Sequence, residues 1–194
     1  MEEDQIIPKC KVVIVGGSAG SLNALLQILP DISALNAFAL VIVLHRRSTD
    51  DLTLEELLKL KTRITVKAVE DKMPLLPGFI YIAPSNYHLL FEKGEFLALD
   101  TSEKINYSRP SIDVSFESAA EVYGDTLVGI LLSGSNSDGT EGLKAISKAG
   151  GVIIVQDPAS ADMPFMPNNA IVNTTPDFIL DVDGILKFIL SVNK

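Results

Sequence analysis

Three side chains in this sequence are of the types that nucleophilic acyl chemistry needs: Ser18, His45 and Asp138. A serine hydroxyl is a poor nucleophile until a neutral imidazole can take its proton. A carboxylate then fixes the imidazole tautomer and stabilises the imidazolium that forms. Each of the three follows a run that reads as a buried strand. Ser18 follows residues 11–15, inside Gly16-Gly17-Ser18-Ala19-Gly20; His45 closes residues 38–44; Asp138 lies a short polar loop beyond residues 126–132. Ligands of an open parallel sheet bind beyond the carboxyl ends of its strands, so the three should meet at one sheet edge. Gly16 and Gly17 let the chain turn sharply there. A helix starting just after Ser18 would aim free N–H groups at the same place, which favours a developing oxyanion.

Each residue also has an ordinary reading. A serine in a glycine-rich turn serves as a turn residue or helix cap, a histidine at a strand end is often structural, and an aspartate before a glycine is often an N-cap. The other histidine, His88, lies in a β-rich stretch and reads as structural. The order Ser, His, Asp differs from the Ser, Asp, His order of α/β-hydrolases, although residues 16–20 satisfy the letters G-x-S-x-G. A dinucleotide site competes. Gly17-Ser-Ala-Gly resembles part of G-x-G-x-x-G, and Arg46 and Arg47 are placed to hold the 2′-phosphate of NADP. The full fingerprint is absent, no acidic residue closes the second strand, and no Walker A lysine is present. Two distant histidines and one cysteine, Cys10, give no metal-ligand spacing. Neither a cofactor nor a metal is expected.

The elements that must position these residues alternate. Residues 11–15 form a strand, and a helix from Ser21 carries Leu22, Leu25, Leu26 and Leu29 on one face. Residues 38–44 form a strand apolar on both faces, and residues 52–60 a helix with Asp50 or Asp51 as its N-cap. Residues 64–69 read as a strand and 74–77 as a loop. Residues 79–83, 88–92 and 95–99 read as short strands of a small antiparallel insertion. Ser111 caps a helix running to about Tyr123. After the strand at 126–132 come a helix over 138–148, a strand over 152–155, a long loop over 156–169 and a terminal helix over 185–192. The pattern predicts an α/β fold: a doubly wound, mainly parallel sheet with helices on both faces. Residues 1–194 read as one domain.

The chain has 194 residues, 47% of them hydrophobic, which is enough to bury a core. Its net charge of −9 argues against nucleic-acid binding, which needs a positive field. No apolar run is long enough to insert in a membrane, and the acidic start is not a signal peptide. With a single cysteine, a cytoplasmic protein is expected.

Seven stretches resemble one family. They are Ile14-Val-Gly-Gly-Ser-Ala-Gly-Ser, Leu44-His45, Pro77-Gly-Phe-Ile-Tyr-Ile-Ala-Pro, His88-Leu-Leu, Ser108-Arg-Pro-Ser-Ile-Asp, Gly129-Ile-Leu-Leu-Ser-Gly-Ser-Asn-Ser-Asp-Gly and Met166-Pro-Asn-Asn-Ala-Ile. In this order they are similar to the catalytic domain of CheB-type chemotaxis protein-glutamate methylesterases. The resemblance implies a doubly wound sheet with Ser18, His45 and Asp138 as the catalytic set. It implies hydrolysis of glutamate γ-methyl esters on a methylated chemoreceptor or other signalling protein, and deamidation of glutamines in some members. It places Ser135 at a position that lines the oxyanion site and Met166 in a matching stretch. On an otherwise acidic chain, Arg46, Arg47 and Arg109 read either as a basic rim steering an acidic partner or as ordinary surface arginines, and Arg46, Arg109, Ser135 and Met166 are the expected substrate-binding positions. The family's turn carries a hydroxyl after the serine, where Ala19 stands here, and its loop carries a methionine where Ser135 stands. The receiver domain that precedes this domain in the family is expected to be absent, with a receiver or histidine kinase acting in trans. A catalytically inactive module on the same fold is the alternative of a different class.

Overall fold

A computed structural model describes residues 9–46 and 53–193. Arg47 and the N-cap expected at Asp50 or Asp51 lie outside the described residues.

The first strand is Val12–Gly17 (β1) and the second Ala39–Leu44 (β2); all twelve residues are buried. Apolar character on both faces demands cover on both, and the structure supplies it. Val13, Val15, Leu40, Ile42 and Leu44 pack toward the helices Ser21–Ile28 (α1), Thr53–Lys61 (α2) and Val182–Val192 (α6). Val12, Ile14, Val41 and Val43 pack toward Ile112–Tyr123 (α3), Thr140–Lys148 (α4) and Phe165–Asn173 (α5).

The main sheet adds Val66–Ala68 (β3), Ile80–Ile82 (β5), Leu127–Leu131 (β8), Val152–Gln156 (β9) and Phe178–Leu180 (β10). Its order is β10-β9-β8-β1-β2-β5-β3, and every pairing is parallel. Met73–Pro74 (β4), His88–Glu92 (β6) and Phe96–Asp100 (β7) form a separate antiparallel sheet. The chain builds outward from β1 through β2, β5 and β3, then returns to add β8, β9 and β10 on the other side. The strand order therefore reverses between β1 and β8, which is where such sheets hold ligands.

The architecture is the expected one, with four local differences. Residues 79–83 belong to the parallel sheet, because Leu40–Ile42 of β2 pair with Ile80–Ile82; only β4, β6 and β7, which flank them in sequence, are antiparallel. The stretch read as a loop over 156–169 contains the start of α5. Pro167 sits in the first turn of that helix, where its missing N–H costs nothing. The short strand β10 was not expected at all. The glycines also act differently. Gly16 and Gly17 lie within β1, where a side chain would meet Ile112 Cγ2 and Ser21 Cβ at 2.5 Å in each case. They permit close approach of α3 and α1. The left-handed turn residue is Gly20, at φ 82°.

Candidate active site

Ser18 and His45 share an edge because β1 and β2 are in register. Gly17 lies beside Leu44, and the His45 N–H donates to the Gly17 carbonyl at 3.0 Å. Ser18 is half-buried and the next residue, Ala19, is exposed. The turn after β1 is held by the loop after β8. The Ser18 N–H donates to the Ser133 carbonyl at 2.9 Å, and the Ser133 hydroxyl donates to the Ala19 carbonyl at 2.7 Å. Ser133 is in turn fixed by Gln156, whose Oε1 accepts the Ser133 N–H at 2.9 Å. The Ser21 N–H closes the turn on the Ser18 carbonyl at 3.1 Å. Two of the N–H groups expected to be free for an oxyanion are therefore already paired.

Asp138 is fully buried and its carboxylate meets five donors. His45 Nε2 lies 2.7 Å from Oδ2, and the Ile112 N–H donates to the same oxygen at 2.7 Å. Oδ1 accepts from the Ser111 hydroxyl at 3.1 Å, the Asp113 N–H at 3.0 Å and the Gly139 N–H at 3.1 Å. Asp138 is thus not the cap of the helix that follows it. It sits at the N-terminus of α3, where free N–H groups and the helix dipole favour an anion. Burial pushes its carboxyl up, but the His45 hydrogen bond and the N–H groups of Asp113 and Ile112 outweigh this and hold it below the usual carboxylate range.

The network also fixes the imidazole. Asn136 Oδ1 accepts the Asp138 N–H at 3.0 Å, which leaves Asn136 Nδ2 facing His45 Nδ1 at 3.4 Å. Nδ2 is a donor only, so Nδ1 carries the lone pair and Nε2 carries the proton given to Asp138. His45 thus has an unprotonated nitrogen and an oriented, ionised partner, which is the arrangement of a general base.

A second carboxyl lies close by. Asp113 is buried in the first turn of α3; its Oδ1 accepts the Gly142 N–H at 2.7 Å and its Oδ2 lies 3.4 Å from the Asn106 amide. Burial, only partly countered by the Gly142 N–H and reinforced by the Asp138 charge, pushes it up to about 7. In the unfolded chain it would titrate near 3.8. Between these values the folded state holds a proton that the unfolded state has lost. The stability this contributes is complete below about pH 4 and disappears as pH rises through about 7. Asp113→Asn keeps the acceptor for Gly142 and removes the charge. It is expected to stabilise the protein by on the order of 2 kcal/mol at pH 8 and to leave it unchanged near pH 4, as read by urea unfolding at the two pH values.

The residues expected to hold substrate fall in different places. Ser135 is exposed on the loop beside Asn136. Met166 is fully buried, and its side chain covers Gly134, where a Cβ would lie 2.5 Å from Met166 Cε. It shapes the loop from beneath and does not face solvent. Arg46 makes a paired contact with buried Glu55 at 2.7 and 3.1 Å and also donates to the Ala83 carbonyl. The guanidinium that a dinucleotide reading would aim at a 2′-phosphate is committed to Glu55. Arg109 donates to the Thr101 and Ser102 carbonyls. Arg46, Lys104 and Arg109 nonetheless line a cavity of about 270 Å³ that opens beside His45. A larger cavity of about 500 Å³, lined by Lys9, Cys10, Ala39 and Tyr123 among others, lies at the opposite end of the strands. His88 is buried between the Ser111 N–H and the Glu103 carbonyl, a structural role.

The contacts made by Asn136, the α3 N-terminus and Gln156 could not be foreseen. Ser111 was recognisable as a cap, but nothing in its neighbours says that a carboxylate 27 positions later docks on it. Among the described residues no cluster of metal-binding side chains occurs and no helix is long and apolar enough to cross a membrane.

Comparisons with known proteins agree with this architecture. The CheB methylesterase family profile matches residues 13–189. A Leptospira interrogans protein is 40% identical over 184 residues, which covers 95% of this chain and 95% of that protein. A Thermotoga maritima protein-glutamate methylesterase/protein-glutamine glutaminase is 33% identical over 173 residues, 88% of this chain and 50% of that protein, so the chain spans about half its length. The crystal structure of the Thermotoga maritima CheB methylesterase catalytic domain superposes with a TM-score of 0.88 at 30% identity, covering 94% of this chain and 98% of that one. Matched over nearly its whole length in both sequence and fold, the chain belongs to the CheB methylesterase family.

Proposed function

We propose that this chain hydrolyses glutamate γ-methyl esters on a signalling protein, with Ser18 as nucleophile, His45 as general base and Asp138 as the group that orients the base. One observation carries the assignment: the 2.7 Å His45–Asp138 bond lies at the reversal of strand order, one strand from Ser18. In the first step the Ser18 oxygen bonds to the ester carbonyl carbon and its proton passes to His45 Nδ1. The carbonyl electron pair moves onto oxygen. The tetrahedral intermediate collapses, methoxide leaves with the proton held on Nδ1, and methanol departs. Water, deprotonated by Nδ1, then attacks the acyl-serine and releases the glutamate carboxylate and the serine hydroxyl.

The relatives' names support the substrate class, and their second activity fits the same chemistry. A glutamine side chain attacked in this way would release ammonia in place of methanol. A methylated chemoreceptor is the substrate this reading favours, with a receiver domain or histidine kinase acting in trans and a cytoplasmic setting. The test is methanol release from a receptor fragment carrying glutamate γ-methyl esters. Turnover that depends on enzyme concentration supports the reading. No release above the uncatalysed rate from folded wild-type protein would sink it.

A further inference from the structure

An oxyanion needs hydrogen-bond donors placed where its charge appears, and the usual sources are restricted here. The nucleophile's own N–H, which often serves, is spent on the Ser133 carbonyl at 2.9 Å. The Ser21 N–H is spent on the Ser18 carbonyl. The side chain after the nucleophile is Ala19, which has no donor. One side-chain donor does lie at the reaction centre. Asn136 Nδ2 sits 3.4 Å from His45 Nδ1, the nitrogen that takes the serine proton. Ser18 Oγ must come within roughly 2.6–3.2 Å of that nitrogen to transfer it. The amide and the attacking oxygen are therefore no more than about 6–7 Å apart at the moment of attack. A carbonyl between them is within reach of Nδ2.

We infer that Asn136 is a further catalytic residue, whose Nδ2–H₂ group donates to the oxyanion of the tetrahedral intermediate. The inference rests on the esterase reading above. Its geometry couples two events. At rest Nδ2 donates to the lone pair of Nδ1. Nδ1 has one lone pair, so the Ser18 hydroxyl displaces Nδ2 from it as substrate is engaged. The proton then passes to Nδ1 and the carbonyl electron pair becomes the oxyanion. The displaced amide is free when an acceptor for it appears. Its other end stays pinned, because Oδ1 holds the Asp138 N–H at 3.0 Å, so the group need only pivot about that anchor. When methoxide leaves and takes the proton, Nδ1 regains its lone pair, the carbonyl re-forms and Nδ2 returns. No bond to Asn136 is made or broken, and the proton count of the reaction is unchanged.

The test compares Asn136→Ala and Asn136→Asp with wild type on a peptide carrying a glutamate γ-methyl ester and on its thionoester, in which sulfur replaces the carbonyl oxygen. Asn136→Asp keeps the acceptor that anchors the loop but places a charge facing Nδ1, so it serves as the folded variant if Asn136→Ala does not fold and is read by the oxygen-to-sulfur ratio, not by kcat alone. Both variants are expected to lose about 10²–10³-fold in kcat on the oxygen ester with little change in KM. Sulfur accepts hydrogen bonds poorly, so the oxygen-to-sulfur rate ratio should be large in wild type and should shrink in the variants. Unchanged kcat overturns the inference. So does a reduced kcat with the wild-type oxygen-to-sulfur ratio, which would make Asn136 only a positioning residue for His45. In unmodified protein, a phosphonate bound to Ser18 should move the Asn136 side-chain amide proton resonance downfield, and an unmoved resonance overturns the inference independently of any variant. A wild type whose hydrolysis is not abolished by Ser18→Ala refutes the esterase reading instead.

Discussion

Ser18→Ala is expected to lower kcat for methyl-ester hydrolysis by about 10⁶-fold, the loss typical when a serine nucleophile is removed. The side chain carries no scaffold role large enough to complicate the result. The turn around it is held by main-chain groups, the Ser18 N–H to Ser133 and the Ser18 carbonyl from Ser21, and alanine keeps both. Stability should change by no more than about 0.5 kcal/mol. KM should stay near the wild-type value, because the binding surface is untouched. Methanol release and urea unfolding on the same preparation check both halves. Equal rates in wild type and Ser18→Ala would remove Ser18 from the mechanism.

Asp138→Asn is expected to cost about 10⁴-fold in kcat and, unlike the serine change, about 3 kcal/mol in stability. Catalysis suffers through the tautomer. An amide NH₂ turned toward His45 Nε2 demands a lone pair there and moves the imidazole proton to Nδ1, the nitrogen that must accept from Ser18. Turning the amide the other way does not rescue stability. Five donors converge on the two carboxylate oxygens, and an amide offers only one oxygen. At least one buried N–H or O–H of Ser111, Ile112, Asp113 or Gly139 is left facing a donor. The pH dependence follows. Because the folded carboxyl titrates below the unfolded value of 3.8, its contribution is complete above that pH and is lost as pH falls through the lower folded value. The acid limb of the wild-type stability profile should therefore flatten in Asp138→Asn, as read by unfolding between pH 2 and 6. An unchanged acid limb, or a kcat within tenfold of wild type, would contradict this account.

The strands that carry the site were legible because they are continuous apolar runs with a single interpretation. Residues of β1, β2 and β8 are buried on both faces and nothing polar interrupts them. The edges of the sheet were not legible to the same degree. β5 has only three residues and lies between turn signals, so its parallel partner is a tertiary choice that local pattern does not encode. α5 was hidden by Pro164 and Pro167, which punctuate a loop but equally suit the first turn of a helix. At the candidate site, residue type singled out Ser18, His45 and Asp138, because few side chains can do the proposed chemistry, and the structure brings His45 and Asp138 to 2.7 Å. The residues that orient them are different. Ser111, Asn136 and Gln156 act through hydrogen bonds to partners fixed only by the fold. Arg46 has a partner that its neighbours in sequence do not announce. An arginine beside a histidine invites a substrate role, yet Glu55, nine positions on, holds its charge inside the chain.

The central position of β1 has a consequence for how the molecule breathes. β1 is hydrogen-bonded along both edges, to β2 and to β8, and the chemistry is anchored at the ends of these three strands. Amide hydrogens there exchange with solvent only when the whole sheet opens, whereas β3 and β10 at the rims, with three residues each and one neighbour, can fray separately. The proposed catalytic residues thus sit at the ends of the strands expected to yield last. Partial unfolding at the margins would leave them assembled, and inactivation by denaturant would coincide with global collapse of the fold.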